Sequence, residues 1–595
     1  MAQQIKIGYF AHWFQPPYTF TEFLNEQGVE ITKIDVSQRG YLEDYDVAIV
    51  EQNGFNDYVE NDEHYIHDWV KRGGILFFMH QDYERWAPYF LPQEVGYTQL
   101  IHRHINTINL CTPDQSFDDD KSSYKNYMMP WIEECGRRLF SEPEVITPDE
   151  MFDWRIAANS FGILRPHNIK NAAGEEMAGH QIVRTAAQSC YLLPKNWEVI
   201  GTYMDPAVRD GALIARAQYG KGMFFLNQIL FPEVKNDLAE RSFAFWKKYI
   251  KNLLAYFARF KNGESEVLPP KAPQTLALKK NYKMPIHMHS LDWYGCDCAP
   301  GTANALMRYM GWDICALAVK DNAPYDGKLD TAKYSDDKVL FLDGQEYHPF
   351  NWNDRFEHLS HNTYHMLAIG IDSDAYTPRF TKSLFSDAEV AAYLKESVDY
   401  VHEHGGAICA THPYFDYWLN YDVDGVDKEP LIPLGGTDME KAWLAGKRFA
   451  AMVSVDFFGM RRAFDNPAVN FLYLGGEVPC RDNVVRAVRE GHTIAAVGFD
   501  EVDITLNGYV PGDEVPVAEA QNGVLSISAK AMKGEPVCTV RVYSGANVIY
   551  RKNFDENEIA FELPLKDFEL NQYIRVEVQG ITKHWICTST PFYLK

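Results

Sequence analysis

Four short apolar runs in the middle of the chain each end in polar side chains, and this pattern constrains the fold more than any other feature. The runs are ICALAV before Lys320, VLFL before Asp343, AICAT before His412 and AAMVSV, which ends just before Asp456. Helical spacing of apolar residues lies between two of them, at 387–404, and Gly405-Gly406 ends that helix. Alternating strands and helices predict an α/β fold, in which functional residues collect at the carboxyl ends of the strands.

A pair of histidines precedes these runs. The segment PIHMHS places His287 and His289 after Met284-Pro285-Ile286, on a predicted short strand near its end. Residues two apart on a strand point to the same side, so both imidazoles can bind one metal ion. The spacing alone is a weak signal, because His102-Arg103-His104 shares it and most histidines are ordinary core or surface residues. The ordered polar residues downstream strengthen the metal hypothesis.

These segments together resemble the polymerase-and-histidinol-phosphatase (PHP) superfamily of metallohydrolases, in particular its branch resembling carbaryl hydrolase. The resemblance covers roughly residues 283–498 and implies a PHP-type α/β barrel. It rests on five segments in the same order: HMH at 287–289, DGQE ending at Glu346, HMLAIGI from His365, GGAICATHP with His412, and SVDFF with Asp456.

The resemblance also implies a set of metal ligands. His287, His289, Glu346 and Asp456 would hold one ion; Glu346, His365 and His412 would hold a second, with Glu346 bridging the two. Asp292 and Asp297 are both candidates for the acidic residue that the family has after its H-x-H motif.

The chain departs from the family pattern at two places. Lys320-Asp321-Asn322 stands where the family usually has Thr-Asp-His, and Asp456-Phe457-Phe458 stands where it usually has Asp-x-His. Both departures remove a histidine that serves the third metal of trinuclear family members. The resemblance therefore implies a site for two divalent transition-metal ions rather than three.

Imidazole and carboxylate ligands suit Zn, Mn or Fe equally well. Two such ions about 3.5–4 Å apart can share a hydroxide and stabilise charge on the attacked centre. We therefore predict a metal-dependent hydrolase that cleaves an ester-type bond (a phosphoester, carboxylic ester or carbamate) of a small molecule, with a carbohydrate-related substrate as one option. The catalytic residues would be Asp321, Glu346 and Asp456, and the substrate-binding residues would be Lys320, Asn322, Arg461 and Tyr294.

Two alternatives remain open at the level of the sequence. A phosphatase is less favoured, because the missing histidines weaken phosphate binding through a third metal. A decayed PHP domain that binds a carbohydrate or another ring compound without turnover is also consistent, since the chain has 35 Tyr and 13 Trp residues. Arg461 follows the Asp456 strand and is predicted either to contact an anionic group or to belong to a solvated loop.

Residues 1–262 show a second alternation of strands and helices, which predicts a doubly wound, flavodoxin-like domain. YDVAIV, GGILFFMHQD and YGKGMFFLNQ resemble the class I glutamine-amidotransferase-like fold, including its trehalose-utilisation-type relatives. Catalytic members carry a cysteine where this chain has Phe78-Met79-His80-Gln81-Asp82, so amidotransferase activity is not predicted. His80, Gln81, Asp82, His12, Trp13 and Gln52 are candidates for a binding pocket, although a structural or interface role is favoured.

Residues 263–282 contain Pro269, Pro270 and Pro273 and are predicted to be a linker before the PHP-like domain at 283–498. Short alternating runs after 499 predict a β-sandwich at 499–595. Packing against the catalytic domain is its favoured role, and glycan binding is the alternative.

Charge and composition limit the partners. A net charge of −25 argues against nucleic acid and anionic membrane, which both attract basic surfaces. The chain lacks 18 consecutive apolar residues, its amino terminus lacks a signal-peptide pattern, and its ten cysteines follow no disulfide framework. We therefore expect a cytoplasmic protein with a small-molecule substrate, and a homo-oligomer is possible.

Overall fold

The computed structural model divides the chain into two compact units, one within Met1–Ala272 and Tyr294–Leu306, the other within Pro273–Trp293 and Met307–Lys595. The structure describes residues 5–11, 16–52, 54, 59, 61–81, 90–92, 94–95, 130–147, 150, 163–164, 169–170, 176–177, 183–185, 188–190, 197–203, 211–227, 229, 231–235, 240–269, 275–289, 300–320, 331–347, 364–371, 387–413, 416–428, 431–454, 456, 463, 466–582 and 584–595. The whole is a mixed α/β protein with several sheets.

The first unit is built on a nine-stranded sheet with the strand order β2-β1-β3-β4-β13-β12-β11-β5, and with β6 paired to β12. Strands β2, β1, β3, β4 and β13 pair in parallel with one another, and every other pair in the sheet, including β13 with β12, is antiparallel. Its strands are β1 (Ile7–Phe10), β2 (Ile31–Lys33), β3 (Val47–Val50), β4 (Ile75–Phe78), β5 (Pro130–Ile132), β6 (Ile163–Leu164), β11 (Trp197–Tyr203), β12 (Gly211–Tyr219) and β13 (Gly222–Asn227). Two separate antiparallel pairs are β7 (Ile169–Lys170) with β8 (Glu176–Met177), and β9 (Val183–Thr185) with β10 (Gln188–Cys190).

Helices cover both faces of this sheet. The helices are α1 (Phe20–Glu26), α2 (Glu63–Arg72) and α3 (Glu240–Lys261). Trp69 and Val70 of α2 share an apolar cluster with Leu76 of β4. On the other face, the ring of Phe257 in α3 lies 5.7 Å from that of Phe77 in β4. Burial on both faces explains why these strands read as continuous apolar runs.

The second unit contains a six-stranded mixed sheet with the order β16-β18-β19-β20-β21-β22. Within it β19 is antiparallel to both neighbours, and the remaining pairs are parallel. Strands β15 and β17 form a separate parallel pair. The strands in this part are β14 (Tyr282–Met284), β15 (Ile314–Ala316), β16 (Val319–Lys320), β17 (Leu340–Leu342), β18 (Gly344–Tyr347), β19 (Met366–Ile369), β20 (Ala407–Thr411), β21 (Gly425–Asp427) and β22 (Ala450–Met452); the helices are α4 (Pro300–Met310), which lies across the division between the units, α5 (Thr331–Tyr334), α6 (Asp387–Glu403) and α7 (Asp438–Leu444).

A nine-stranded sheet completes the second unit, with the order β14-β23-β24-β32-β31-β28-β29. Its two other strands extend from β31: β33 pairs with β31, and β26 pairs with β33. A three-stranded sheet, β25-β27-β30, accompanies it. The predicted boundary at 498/499 therefore lies within one compact unit, and one sheet holds strands from both sides of it. The elements are β23 (Ala468–Leu472), β24 (Thr493–Val497), β25 (Phe499–Leu506), β26 (Glu514–Val515), β27 (Val524–Ala531), β28 (Val537–Ser544), β29 (Asn547–Glu556), β30 (Glu558–Pro564), β31 (Tyr573–Gly580), β32 (Ile586–Ser589) and β33 (Phe592–Leu594), with helices α8 (Arg481–Glu490) and α9 (Val517–Gln521).

The fully buried side chain of Asn470 links the two ends of the site-bearing region. Its Oδ1 accepts a hydrogen bond from the backbone N–H of Val453 (2.9 Å). Its Nδ2 donates to the carbonyls of Val453 (2.9 Å) and Met284 (3.1 Å). One amide thus holds the end of β14 beside the end of β22, because each of its hydrogen-bonding groups has a backbone partner.

No helix among the described residues is long and apolar enough to cross a lipid bilayer.

Candidate metal centre

Glu346, near the end of β18, is the centre of a buried cluster of four histidines. Its side chain is 1% exposed. Its Oε1 lies 3.1 Å from Nε2 of His287, 2.9 Å from Nδ1 of His365 and 3.7 Å from Nε2 of His412. Its Oε2 lies 3.2 Å from Nε2 of His289. A single carboxylate therefore faces all four imidazoles that the sequence predicted as ligands.

The direction of the strands explains how His365 reaches this cluster. It precedes β19, which runs antiparallel to β18 and β20, so the start of β19 lies beside their ends. Thr411, the last residue of β20, donates its backbone N–H to the carbonyl of His365 (3.1 Å). His412 follows directly, and the rings of His365 and His412 lie 5.1 Å apart.

Asp456 lies beside the other two histidines. Its Oδ1 is 3.3 Å from Nε2 of His287 and 3.1 Å from Nε2 of His289. The two imidazole rings have centroids 4.8 Å apart, so they share one side as predicted. The predicted strand, however, ends at Met284, and the histidines lie on an irregular extension of it.

Three residues of the cluster have a positive backbone φ: His287 (62°), His412 (30°) and Asp456 (43°). Six non-glycine residues in the described part of the chain have a positive φ, so half of them lie in this cluster. This conformation is costly for residues other than glycine and persists where the surroundings enforce it, most often at functional sites. The turns after the strands hold these side chains in place.

The spacing of the donor atoms suits a metal ion. Ligands bound tetrahedrally at 2.0–2.1 Å lie roughly 3.3 Å apart, and the cluster contacts span 2.9–3.7 Å. Among the described residues, neither ring nitrogen of His287 or of His412 has a hydrogen-bond partner. Buried polar groups rarely lack partners. The residues present therefore fit a bound cation in three overlapping triads: His287, His289, Glu346; Glu346, His365, His412; and His287, His412, Asp456.

The shifted pKa values of His287 and Asp456 also favour a bound cation. Burial disfavours the charged form of His287, but the carboxylates of Glu346, Asp456 and Asp427 outweigh it and raise its pKa well above the ordinary range. Burial opposes ionisation of Asp456, but His287 and His289 outweigh it and lower its pKa. The pocket therefore favours positive charge at the position that the histidines and carboxylates face.

Sequence reasoning missed one member of the cluster, Asp427. It is the last residue of β21, its side chain is fully buried, and its Oδ2 lies 3.8 Å from Nδ1 of His287. Ser454 Oγ donates a hydrogen bond to the same oxygen. The segment DGVD is too short to be recognised as an apolar run, although it does end in a carboxylate as the other strands end in ligand-type residues.

The remaining predicted site residues are placed as follows. The backbone of Lys320 ends β16 and is the register partner of Glu346. Asp321, Asn322, Tyr294 and Arg461, together with Asp292 and Asp297, lie outside the described residues.

In the first unit, two of the pocket candidates are engaged with backbone. Gln52 exchanges two hydrogen bonds with Phe231, its Nε2 donating at 3.2 Å and its Oε1 accepting at 2.9 Å. Gln81 Nε2 donates to the carbonyls of Glu51 and Met79. These contacts are structural. His12, Trp13 and Asp82 lie outside the described residues.

No protein-family model and no curated protein matches the chain. Solved structures overlap parts of it. A β-galactosidase from Rahnella sp. R3 is 13% identical over 42% of this chain and 31% of its own, with a TM-score of 0.22. A cytoplasmic protein from Salmonella typhimurium is 12% identical over 42% of this chain and 98% of its own, with a TM-score of 0.24.

An exo-β-1,4-mannosidase from Opitutaceae bacterium strain TAV5 is 10% identical over 45% of this chain and 37% of its own, with a TM-score of 0.23. The chain thus spans about a third of the length of each of these two glycosidases. Overlap this slight assigns neither a fold nor an activity.

Proposed function

We propose that this protein is a metal-dependent hydrolase with a PHP-like centre for two divalent transition-metal ions. The proposal includes a PHP-type barrel for the site-bearing part of the second unit, a flavodoxin-like first domain and a carboxyl-terminal β-sandwich. Its substrate is a small molecule with an ester-type bond.

The observation that carries the proposal is the position of Glu346. Its two oxygens face different histidines: Oε2 faces His289, while Oε1 faces His365 and His412 as well as His287. A carboxylate placed in this way can serve as a bridging ligand between two cations. Structural ion pairs alone do not require four imidazoles around one carboxylate.

The residues of the cluster would have different roles. His287, His289 and Asp456 would hold one ion with Glu346, and His365 and His412 would hold the other. When bound, two divalent ions would lower the pKa of a shared water and stabilise charge that develops on the substrate. Asp456 is the most exposed carboxylate of the cluster at 13%, against 1% for Glu346 and 0% for Asp427. Its lowered pKa keeps it ionised, so it can hold a cation and accept a hydrogen bond that orients an attacking water.

Metal content measured by inductively coupled plasma mass spectrometry tests the proposal. We expect about two transition-metal ions per chain in the wild type and a loss of both in the double variant His287→Ala/His412→Ala. His402→Ala is a matched control, because His402 pairs with Asp424 rather than with the cluster. The control should keep its metal.

Turnover separates the hydrolase from the binding-protein alternative. The metal-loaded protein is assayed with panels of carboxylic esters, carbamates and phosphoesters, with the double variant as the background. Hydrolysis that disappears with the metal supports the proposal. A chain that takes up no stoichiometric Zn, Mn or Fe after reconstitution is not such a hydrolase, and a decayed domain that binds ligands becomes the better account.

A further inference from the structure

We infer that Asp427 is a positioning residue for His287, and that its carboxylate holds the imidazole with Nε2 directed at Glu346 and Asp456. The inference deepens the proposed function and rests on its metal site. It assigns a role to a buried carboxylate that the ligand set leaves unexplained.

The sheet places Asp427 beside the cluster. Asp427 pairs in register with Thr411 of β20 on one side and with Met452 of β22 on the other. These two neighbouring strands lead directly to His412 and towards Asp456. Asp427 thus stands between two strands that supply predicted ligands, and its side chain is fully buried.

Asp427 and the other carboxylates approach different nitrogens of His287. Nε2 lies 3.1 Å from Glu346 and 3.3 Å from Asp456. Nδ1 instead lies 3.8 Å from Oδ2 of Asp427. At that distance the contact is electrostatic rather than a hydrogen bond. A carboxylate on the Nδ1 side is placed to orient the ring rather than to share a cation with Nε2.

The chemistry of imidazole gives this contact its consequence. A neutral ring carries one proton, and a histidine binds metal through the nitrogen that lacks it. With a cation on the Nε2 side, negative charge beside Nδ1 would keep the ring proton on Nδ1 and leave the lone pair of Nε2 for the ion. Histidine ligands in metal sites commonly have such a carboxylate on their second nitrogen.

Ser454 supports the carboxylate in turn. Its Oγ donates to Oδ2 of Asp427, and its side chain is also buried. Oδ1 of Asp427 has no hydrogen-bond partner among the described residues. The carboxylate is therefore anchored through one oxygen, the one that faces His287, and this restricts its rotation towards or away from the ring.

Asp427→Asn tests the inference with little change of shape. The amide can donate to Nδ1 and would favour the tautomer with its proton on Nε2. We expect metal affinity, measured by competition titration with Zn²⁺ or Mn²⁺, to fall about 10- to 100-fold, as for other partners of histidine ligands. In the Zn²⁺-loaded protein, long-range ¹⁵N–¹H NMR should show a protonated Nδ1 on His287 in the wild type, and the variant should lose or shift that signal.

Two further variants provide a second test and a control. Ser454→Ala should lower the metal affinity and change the His287 NMR signal in the same direction, but by a smaller amount. Asp424→Asn is the matched control, since Asp424 lies just before the same strand and pairs with His402 instead; both readouts should stay as in the wild type. If Asp427→Asn does not fold, Ser454→Ala alone decides the question.

The possible results separate this inference from the proposed function. Unchanged affinity and an unchanged tautomer in Asp427→Asn, or in Ser454→Ala where that variant decides, overturn the positioning role and leave the metal site intact. A wild type that binds no metal overturns the proposed function. The positioning role then falls with the metal site, so the metal content of the wild type and the metal affinity of Asp427→Asn tell the two failures apart.

Discussion

Nδ1 of His365 lies 2.9 Å from Oε1 of Glu346, although His365 precedes its strand and Glu346 lies near the end of its own. The two meet because β18 and β19 are antiparallel, with Glu346 opposite Leu367. The candidate centre is therefore built from the ends of parallel strands and from the start of one reversed strand. Its geometry depends on the register of that pair, since a slip of one residue would turn the side chains to the opposite face.

Replacing Glu346 with Gln should abolish binding at both metal positions, because the amide keeps the volume but loses the shared charge. We expect excess Zn²⁺ or Mn²⁺ to raise the unfolding temperature of the wild type; a ligand at 100 times its Kd adds about 2.7 kcal/mol of stability. Glu346→Gln should show no such rise. Differential scanning calorimetry with and without metal measures both.

Glu51→Gln provides the control for that experiment, since Glu51 is also a buried glutamate but belongs to the first unit. The control should keep the full metal-dependent rise in unfolding temperature. An equal rise in Glu346→Gln and the wild type would exclude Glu346 as a bridging ligand.

Apolar runs and their order made much of this arrangement predictable. The helix predicted at 387–404 is confirmed as Asp387–Glu403, and the apolar run AICAT forms the strand Ala407–Thr411. β29 (Asn547–Glu556) was missed because it is mostly exposed and lacks an alternating apolar pattern. An alternating apolar pattern predicts a strand only where one face of that strand is buried.

The candidate site also depends on features that local sequence patterns do not predict. His287 and His289 share a side, but the turn at His287 that sets their directions depends on a positive φ that the sequence does not reveal. The reversal of β19 depends on long-range pairing and is equally hidden. Metal binding by these residues stays a prediction.

Glu51 should make the stability of the first unit depend on pH. Burial raises its pKa from an ordinary 4.5 to about 7, with Glu233 and Glu22 contributing and Thr21 opposing. A raised pKa in the folded state means that the stabilisation is complete below about 4.5 and is lost as the pH rises through 7. Above pH 7 the buried charge costs about 3 kcal/mol.

Glu51→Gln should therefore gain stability over the wild type as the pH rises from 5 to 8, because Gln can still accept the hydrogen bond from Thr21 N–H. Urea unfolding at several pH values measures the difference. A difference that stays constant across this range would show that Glu51 does not titrate there.

The pair of His402 and Asp424 should respond in a related way. The hydrogen bond to Asp424 raises the pKa of His402 despite partial burial. A raised histidine pKa stabilises the protein fully below the unfolded value near 6.5 and loses this effect as the pH passes the folded value. His402→Gln should cost about 1 kcal/mol or less at pH 6, since the pair is partly exposed.

That loss should vanish at high pH, and a double-mutant cycle with Asp424→Asn should assign it to the pair. Thermal unfolding between pH 5.5 and 9 measures it. A loss of the same size at both ends of the range would mean that His402 contributes through packing and not through charge.

Asn470→Asp should damage both stability and the metal site without removing any predicted ligand. The variant keeps an acceptor for Val453 N–H but loses the amide protons that Val453 and Met284 carbonyls accept. A buried carbonyl without a partner costs about 1–3 kcal/mol, and the new buried charge adds to this, so we expect a loss of at least 3 kcal/mol. The ends of β14 and β22 lead to His287 and Asp456, so metal affinity should fall as well.

Asn483→Asp separates these two effects. Asn483 is also buried and its Nδ2 donates to a backbone carbonyl, that of Val478, at the start of α8. This control should lose stability but retain metal affinity when both are measured at a temperature where each variant is folded. If both variants bind metal as tightly as the wild type, the amide of Asn470 stabilises the unit without setting the distance between His287 and Asp456. If only Asn470→Asp binds more weakly, that one side chain holds the two ends of the site together.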